Sequence, residues 1–192
     1  MLKKAAVILC GGLISLSALA NNTQIEMKTS LGTVELELFD DQAPVSTSNF
    51  KNYVKEGFYK GTVFHRVIPG FMAQGGGFDE NMQEKTVKQP IKNESSNGLK
   101  NLRGTLAMAR TNDPNSARSQ FFINLADNAF LNKSDRNAGY AVFGKVIKGM
   151  EIVEQMQKVP TTSYGMHQDV PQNPIKILDM QIKATTASKT SK

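Results

Sequence analysis

Thr62-Val63-Phe64-His65-Arg66-Val67-Ile68-Pro69-Gly70-Phe71-Met72-Ala73-Gln74-Gly75-Gly76 is the stretch whose local chemistry decides the fold. Its first half is rich in β-branched and aromatic residues, the composition of an extended strand. Alternation along that strand sets Phe64, Arg66 and Ile68 on one face and Val63, His65 and Val67 on the other. Pro69-Gly70 then supplies the central pair of a type II turn, proline presetting φ and glycine taking the positive φ. Such a turn splays the strands it joins, so the spacing predicts a barrel corner rather than a tight hairpin. Beyond it Met72 and Gln74 share a parity and offer one apolar and one amide side chain to a common surface.

Strand patterns recur on both sides of this segment. Thr33 to Leu38 alternates Val34, Leu36 and Leu38 against Glu35 and Glu37, and Gln24 to Met27 is its hairpin partner across Ser30-Leu31-Gly32. Further strands are expected at Gly104 to Arg110, Gln120 to Asn124, Tyr140 to Val146 and Ile175 to Ile182. One helix starts at Ala43-Pro44, carries Phe50, Tyr53 and Val54 at helical spacing and closes at Gly57; a second runs from Met150 to Gln157 before Val159-Pro160. Strands outnumber helices and lack the regular alternation of a parallel sheet, so the fold class is mainly β, an antiparallel barrel or sandwich with two helices. Two irregular stretches remain, Gly76 to Arg103 and Val159 to Pro174, and the second, with three prolines and Gly165, reads as a stiff surface excursion.

Composition removes several kinds of chemistry. The chain has 192 residues, 40% of them hydrophobic, with one cysteine, two histidines, no tryptophan and a net charge of +6. That is enough apolar content for one cored domain and too few Cys and His for a disulfide framework or a four-ligand zinc centre. Lys3 and Lys4 lead into a short apolar run from Ala5 to Leu16, followed by Ala18-Leu19-Ala20. This is the layout of a secretory signal at residues 1–20, cut after Ala20, and the run is too short to span a bilayer. Cleavage removes Cys10 and two lysines, leaving an exported, cysteine-free chain of net charge +4 with no membrane anchor. The domain then occupies 21–183, and the Lys/Ser/Thr-rich residues 184–192 form a disordered tail. So few aromatics accompany the basic residues that nucleic acid is not an expected partner.

The candidate site lies where three strands repeat one theme. Gln120 and Phe122 share a face, as Met72 and Gln74 do, while Thr105, Ala107 and Ala109 make a small-residue surface against which something can lie. If these strands are neighbours, they form a shallow apolar patch ringed by Arg66, Gln74 and Gln120. His65, on the strand face opposite Arg66, reads as a satisfied structural histidine. The glycines Gly75 to Gly77 lack the lysine and hydroxyl residue of a P-loop, Ser119 stands in no nucleophile elbow, and the two histidines form no ligand cluster.

The runs Phe64 to Gly76, Gly104 to Ala109, Ser119 to Ile123 and Tyr140 to Val146 closely resemble the cyclophilin-type peptidyl-prolyl isomerases of the exported bacterial kind, over roughly Gln24 to Lys183. The resemblance implies a closed eight-stranded antiparallel barrel capped by two helices, no cofactor and no metal. It places the family's active-site arginine on Arg66, its proline pocket on Phe71, Met72, Phe122 and Leu131, and its contacts to the substrate backbone on Gln74 and Ala109, with Gln120 in the same wall. Three positions depart from the pattern. Phe130 stands where many eukaryotic members carry tryptophan, which implies weak cyclosporin binding; Tyr140 stands where they carry a histidine at the pocket edge; and Arg110 follows Ala109 where asparagine is frequent. The implied partners are proline-containing polypeptides in the periplasm, met by a monomer. A proline-peptide-binding chaperone with incidental isomerisation is the other reading, and Arg66 separates the two: binding needs the pocket, whereas acceleration needs the donor.

Overall fold

A computed structural model describes residues 22–183; the expected leader at 1–20 and tail at 184–192 lie outside the described residues. The first hairpin follows from its alternation. In β1 (Gln24–Thr29) and β2 (Gly32–Leu38), Ile25 faces Leu36 and Met27 faces Val34, and all four side chains are buried. The glutamates of opposite parity point outward and meet lysines. Lys183 donates to Glu35 at 2.9 Å and, with Lys148, holds that carboxyl below its ordinary value.

Helix α1 (Pro44–Lys55) begins on its proline and buries Phe50, Tyr53 and Val54. Its first turn has no acidic residue of its own. Glu94, from the long irregular stretch, supplies the missing acceptors: Val45 N–H donates to one carboxylate oxygen at 3.0 Å, and Ser46 N–H donates to the other at 2.8 Å. A negative charge against exposed helix N–H groups stabilises both the helix end and the loop that carries it.

The remaining strands are β3 (Thr62–Ile68), β4 (Met72–Asp79), β5 (Thr105–Met108), β6 (Phe121–Asn124), β7 (Val142–Lys148), β8 (Thr161–Tyr164), β9 (His167–Pro171) and β10 (Ile175–Ile182), with α2 (Met150–Met156) after β7. Eight of the ten described strands, β1 and β2 included, close an antiparallel barrel in the order β1-β10-β3-β4-β6-β5-β7-β2, which leaves the barrel no free sheet edge. The barrel and its two helices are those the sequence implied. Phe50, Tyr59, Phe64, Phe121 and Phe143 are fully buried at the centre, with ring centroids 5.0–5.9 Å apart in tilted and edge-to-face pairs. The Tyr59 hydroxyl donates to the Ser119 carbonyl at 2.8 Å, and burial raises its pKa well above that of a free phenol.

Three expectations are corrected here. The Pro69-Gly70 turn has the expected positive φ of 68° at Gly70, yet it closes a hairpin: Ile68 pairs with Met72, so Pro69, Gly70 and Phe71 form a three-residue loop. The extra residue relieves the splay that a two-residue type II turn would impose. Second, strict alternation along β3 fails. Phe64 pairs with Gly75 and Arg66 with Gln74, two residues opposite one, so a bulge sends Phe64 inward and Arg66 outward. Third, residues 159–174 do not simply wander over the surface. Strands β8 and β9 pair as a separate two-stranded sheet, turn at Gly165 and pack against β3.

Candidate functional site

A single row of residues crosses five adjacent strands on the outer face of the barrel. Arg66 on β3 pairs with Gln74 on β4, Gln74 with Phe122 on β6, Phe122 with Ala107 on β5, and Ala107 with Val142 on β7. Strands lie about 4.8 Å apart, so Arg66 stands roughly 10 Å from the backbone of Phe122, about the reach of a dipeptide unit and its side chains. The β3 bulge puts Arg66 at one end of this row.

The apolar part of the row is a cluster separate from the core. Met72, Ala107, Phe122, Leu131 and Val142 are buried together, with Phe71, Ala109 and Tyr140 packed at their edge. Every expected pocket residue is in this cluster except Phe130, which is 66% exposed and places its ring 5.4 Å from that of Phe71 as a rim. Tyr140 stands edge-on to Phe122 at 5.8 Å, and Arg110 lies 4.4 Å over the Tyr140 ring while donating to Gly139 O at 3.1 Å. Arg110 thus braces the pocket wall through a cation–π contact.

Polar groups frame the cup. Gln74 Nε2 donates to Gln120 Oε1 at 2.9 Å, joining the two amides into one unit. Gly77 makes room for it: a Cβ there would lie 2.5 Å from the Gln120 side chain. The Ala109 N–H donates to Gln120 O at 3.0 Å, which leaves the Ala109 carbonyl as the backbone group open to a ligand. A cavity of about 390 Å³ opens on this side, lined by Gln74, Ala109, Arg110, Thr111, Ser116 and Gln120.

Sequence reasoning missed the support beneath the cup. Asn128 is buried and donates to Phe71 O at 2.9 Å and to Asn124 Oδ1 at 2.7 Å. Asn124 donates to Asn101 Oδ1 at 3.2 Å, and Asn132 Oδ1 accepts from Asn101 N–H at 2.8 Å. This relay ties the loop bearing Phe71 to the short 3₁₀ turn Ala129–Leu131 that carries Phe130 and Leu131. Asparagines scattered over 32 positions carry no periodic signal, so only the fold reveals them as one network.

Arg66 has a side chain 42% exposed, and its neighbours correct the reading of His65. His65 is buried with Nδ1 lacking a hydrogen-bond partner among the described residues, and it shares a cavity of about 440 Å³ with Arg66, Gln74, Gln120, Met166 and His167. The β3 bulge brings it to the arginine's side instead of the opposite face. Burial, then repulsion from His167 and Arg66, lowers its pKa from 6.5 to about 4, so it is neutral at physiological pH. Among the described residues no three His, Cys, Asp or Glu side chains converge as metal ligands.

Comparison with known proteins agrees with this geometry. The model of the cyclophilin-type peptidyl-prolyl cis-trans isomerase family matches residues 24–182. A peptidyl-prolyl cis-trans isomerase of Acinetobacter baylyi is 62% identical over 98% of this chain and all of its own length. Peptidyl-prolyl cis-trans isomerase B of Escherichia coli is 51% identical over 85% of this chain and 99% of its own. Among solved structures, a cyclophilin-type isomerase from Cryptosporidium parvum superposes with a TM-score of 0.71 at 30% identity, covering 85% of this chain and 98% of its own. The same protein crystallised in the presence of the dipeptide Ala-Pro gives a TM-score of 0.70 at 30% identity, over 84% of this chain and 99% of its own.

Proposed function

Because this chain belongs to the cyclophilin-type peptidyl-prolyl cis-trans isomerases and is a peptidyl-prolyl cis-trans isomerase, we propose that its catalysis runs on Arg66 as hydrogen-bond donor and on the Met72–Phe122–Leu131 cup as proline holder. An Xaa-Pro amide turns slowly because resonance gives its C–N bond a barrier of about 18–20 kcal/mol. At the twisted transition state conjugation is lost, and the prolyl nitrogen becomes pyramidal with a localised lone pair. A donor near that nitrogen binds the twisted form better than the planar one, which lowers the barrier. The guanidinium of Arg66 keeps its proton throughout, so no acid–base step is needed.

The observation that carries this reading is the row itself, with a charged donor at one end, an apolar cup at the other and a paired amide between them. The cup fixes the proline ring, and Gln74 with the Ala109 carbonyl holds the flanking peptide, so that one bond rotates in a fixed frame. A 10⁴-fold acceleration requires a barrier lowered by about 5.5 kcal/mol. One charged hydrogen bond contributes about 3 kcal/mol of this, and orientation with desolvation contributes the rest.

The substrates in this reading are proline-containing segments of exported polypeptides, met in the periplasm after cleavage at Ala20; the basic and apolar leader at 1–20 supports it. A mature chain whose first residue by mass is not Asn21 would remove that part. Phenylalanine at position 130, where many eukaryotic members of the family carry tryptophan, supports weak cyclosporin binding, and Phe130→Trp should tighten it. The decisive experiment is exchange NMR on an Ala-Pro peptide. Arg66→Ala should slow turnover by about 100-fold or more while peptide affinity stays within a few-fold, and Arg66→Lys should recover little. Turnover by Arg66→Ala at the wild-type rate would overturn the mechanism and leave a proline-binding module.

A further inference from the structure

The hairpin β8–β9 is not part of the barrel, yet it brings an acid to the back of the arginine. Asp169 Oδ2 lies 3.6 Å from Arg66 Nε, and among the described residues it is the only carboxylate within ion-pair distance of that guanidinium. Asp169 is also one of only two described non-glycine residues with a positive φ, at 60°. Glycine adopts that conformation freely and aspartate tolerates it at a small cost, so the irregularity of the β8–β9 ladder at this position fixes where the carboxylate leaves the chain. Its neighbours Met166, His167 and Gln168 line the cavity shared with Arg66, but Asp169 does not. The carboxylate therefore meets the guanidinium at its Nε edge and leaves the two Nη groups, with four of the five donors, outside the ion pair.

Resting on the role proposed above for Arg66, we propose that Asp169 is a positioning residue: it holds the guanidinium of Arg66 by its Nε edge so that the Nη donors meet the prolyl nitrogen without first being ordered. A long arginine side chain, part exposed and with no other acid beside it, otherwise samples many rotamers, and each turnover loses that freedom anew. Asp169 stands in an irregularity of the β8–β9 ladder, flanked by the Thr162–Val170 and Tyr164–His167 pairs, and β9 packs on β3. Among the described residues its carboxylate makes no hydrogen bond to the Gln74–Gln120 pair. Its removal therefore affects the rate and spares binding.

Asp169→Gly keeps the left-handed backbone, and Asp169→Asn keeps the shape without the charge. Each should lower kcat by about tenfold while the Kd for an Ala-Pro peptide stays within twofold and Tm does not fall. The Arg66 Nε–H proton, followed by ¹H–¹⁵N NMR in the free enzyme, should exchange with solvent several-fold faster in both variants. A wild-type kcat or an unchanged Nε–H exchange rate in Asp169→Gly overturns the proposal. So does a loss of kcat that tracks a loss of Tm, because Asp169 would then act through the hairpin's fold. Arg66→Ala assayed alongside separates the two readings. If it turns over at the wild-type rate the mechanism itself falls; if it is slow while both Asp169 variants are fast, only the positioning role falls.

Discussion

Phe121 and Phe122 are consecutive, chemically identical and almost equally buried, yet they belong to different parts of the molecule. Phe121 packs edge-on to Phe50, Tyr59 and Phe64 in the barrel centre. Phe122 stands in the outer cup against Tyr140, Met72 and Leu131, with solvent a few ångströms beyond. The same division runs through Ala73 and Met72, Leu106 and Ala107, and Phe143 and Val142. The inner set is sealed on every side and contributes stability. The outer set lies on the outer face of the barrel, and in the function proposed above a proline ring completes its shell. Burial alone does not distinguish a core residue from a binding residue here; the completeness of the surrounding shell does.

Truncating the pair tests the comparison most strongly. Phe121→Ala should cost about 4 kcal/mol of unfolding free energy, because a sealed aromatic site can neither collapse nor hydrate. Phe122→Ala should cost about 2 kcal/mol, since water enters an open cup and the cavity contribution falls away, but it should also weaken Ala-Pro peptide binding by tenfold or more. Urea unfolding and peptide titration measure the two effects, and equal stability losses without a loss of binding would break the comparison.

His65 is buried like the inner set but lies beside Arg66, and its titration gives a second test. Its folded pKa of about 4 lies below the unfolded 6.5, so the unfolded chain takes up the proton first. Stability is therefore complete above about pH 6.5 and declines as the pH falls to about 4, by about 3 kcal/mol in all. The urea midpoint should fall through this window, and His65→Gln should flatten that slope. The lowered carboxyls of Glu35 and Asp40 begin to add their own losses at the acid end of this window, as the pH falls through the ordinary carboxyl range. The smallest effect belongs to Gly77, whose missing Cβ houses the Gln120 side chain. Its φ is not left-handed, so Gly77→Ala should fold with little change in Tm while displacing Gln120 and lowering kcat/KM by about fivefold. An unchanged kcat/KM would remove Gln120 from the substrate frame.

Much of this architecture was legible beforehand. Both helices begin where Pro44 and Met150 suggested, and β3 and β10 occupy the residues their composition indicated. The proline-cup residues Phe71, Met72, Phe122 and Leu131 came from the motif resemblance, and the structure gathers all four in one cluster. The differences have two physical causes. Alternation is a rule about an unbroken ladder, and the β3 bulge breaks it between Phe64 and Arg66, so His65 and Arg66 came out on the wrong relative faces. The β8–β9 hairpin was missed because Thr161 to Pro171 is polar, short and proline-flanked. Its strands are specified by packing on β3, which no local pattern encodes.

The sequence by itself determined which residues are apolar at strand and helix periods and where proline and glycine end those elements. These are local properties, set by side-chain volume, β-branching and backbone freedom. Tertiary structure alone decided which of two adjacent phenylalanines is sealed, which asparagines join into one relay, and that Asp169 meets Arg66 across 103 positions of chain. Each of those depends on barrel closure, which sets distant segments a few ångströms apart and makes the shell around a residue complete or leaves it open.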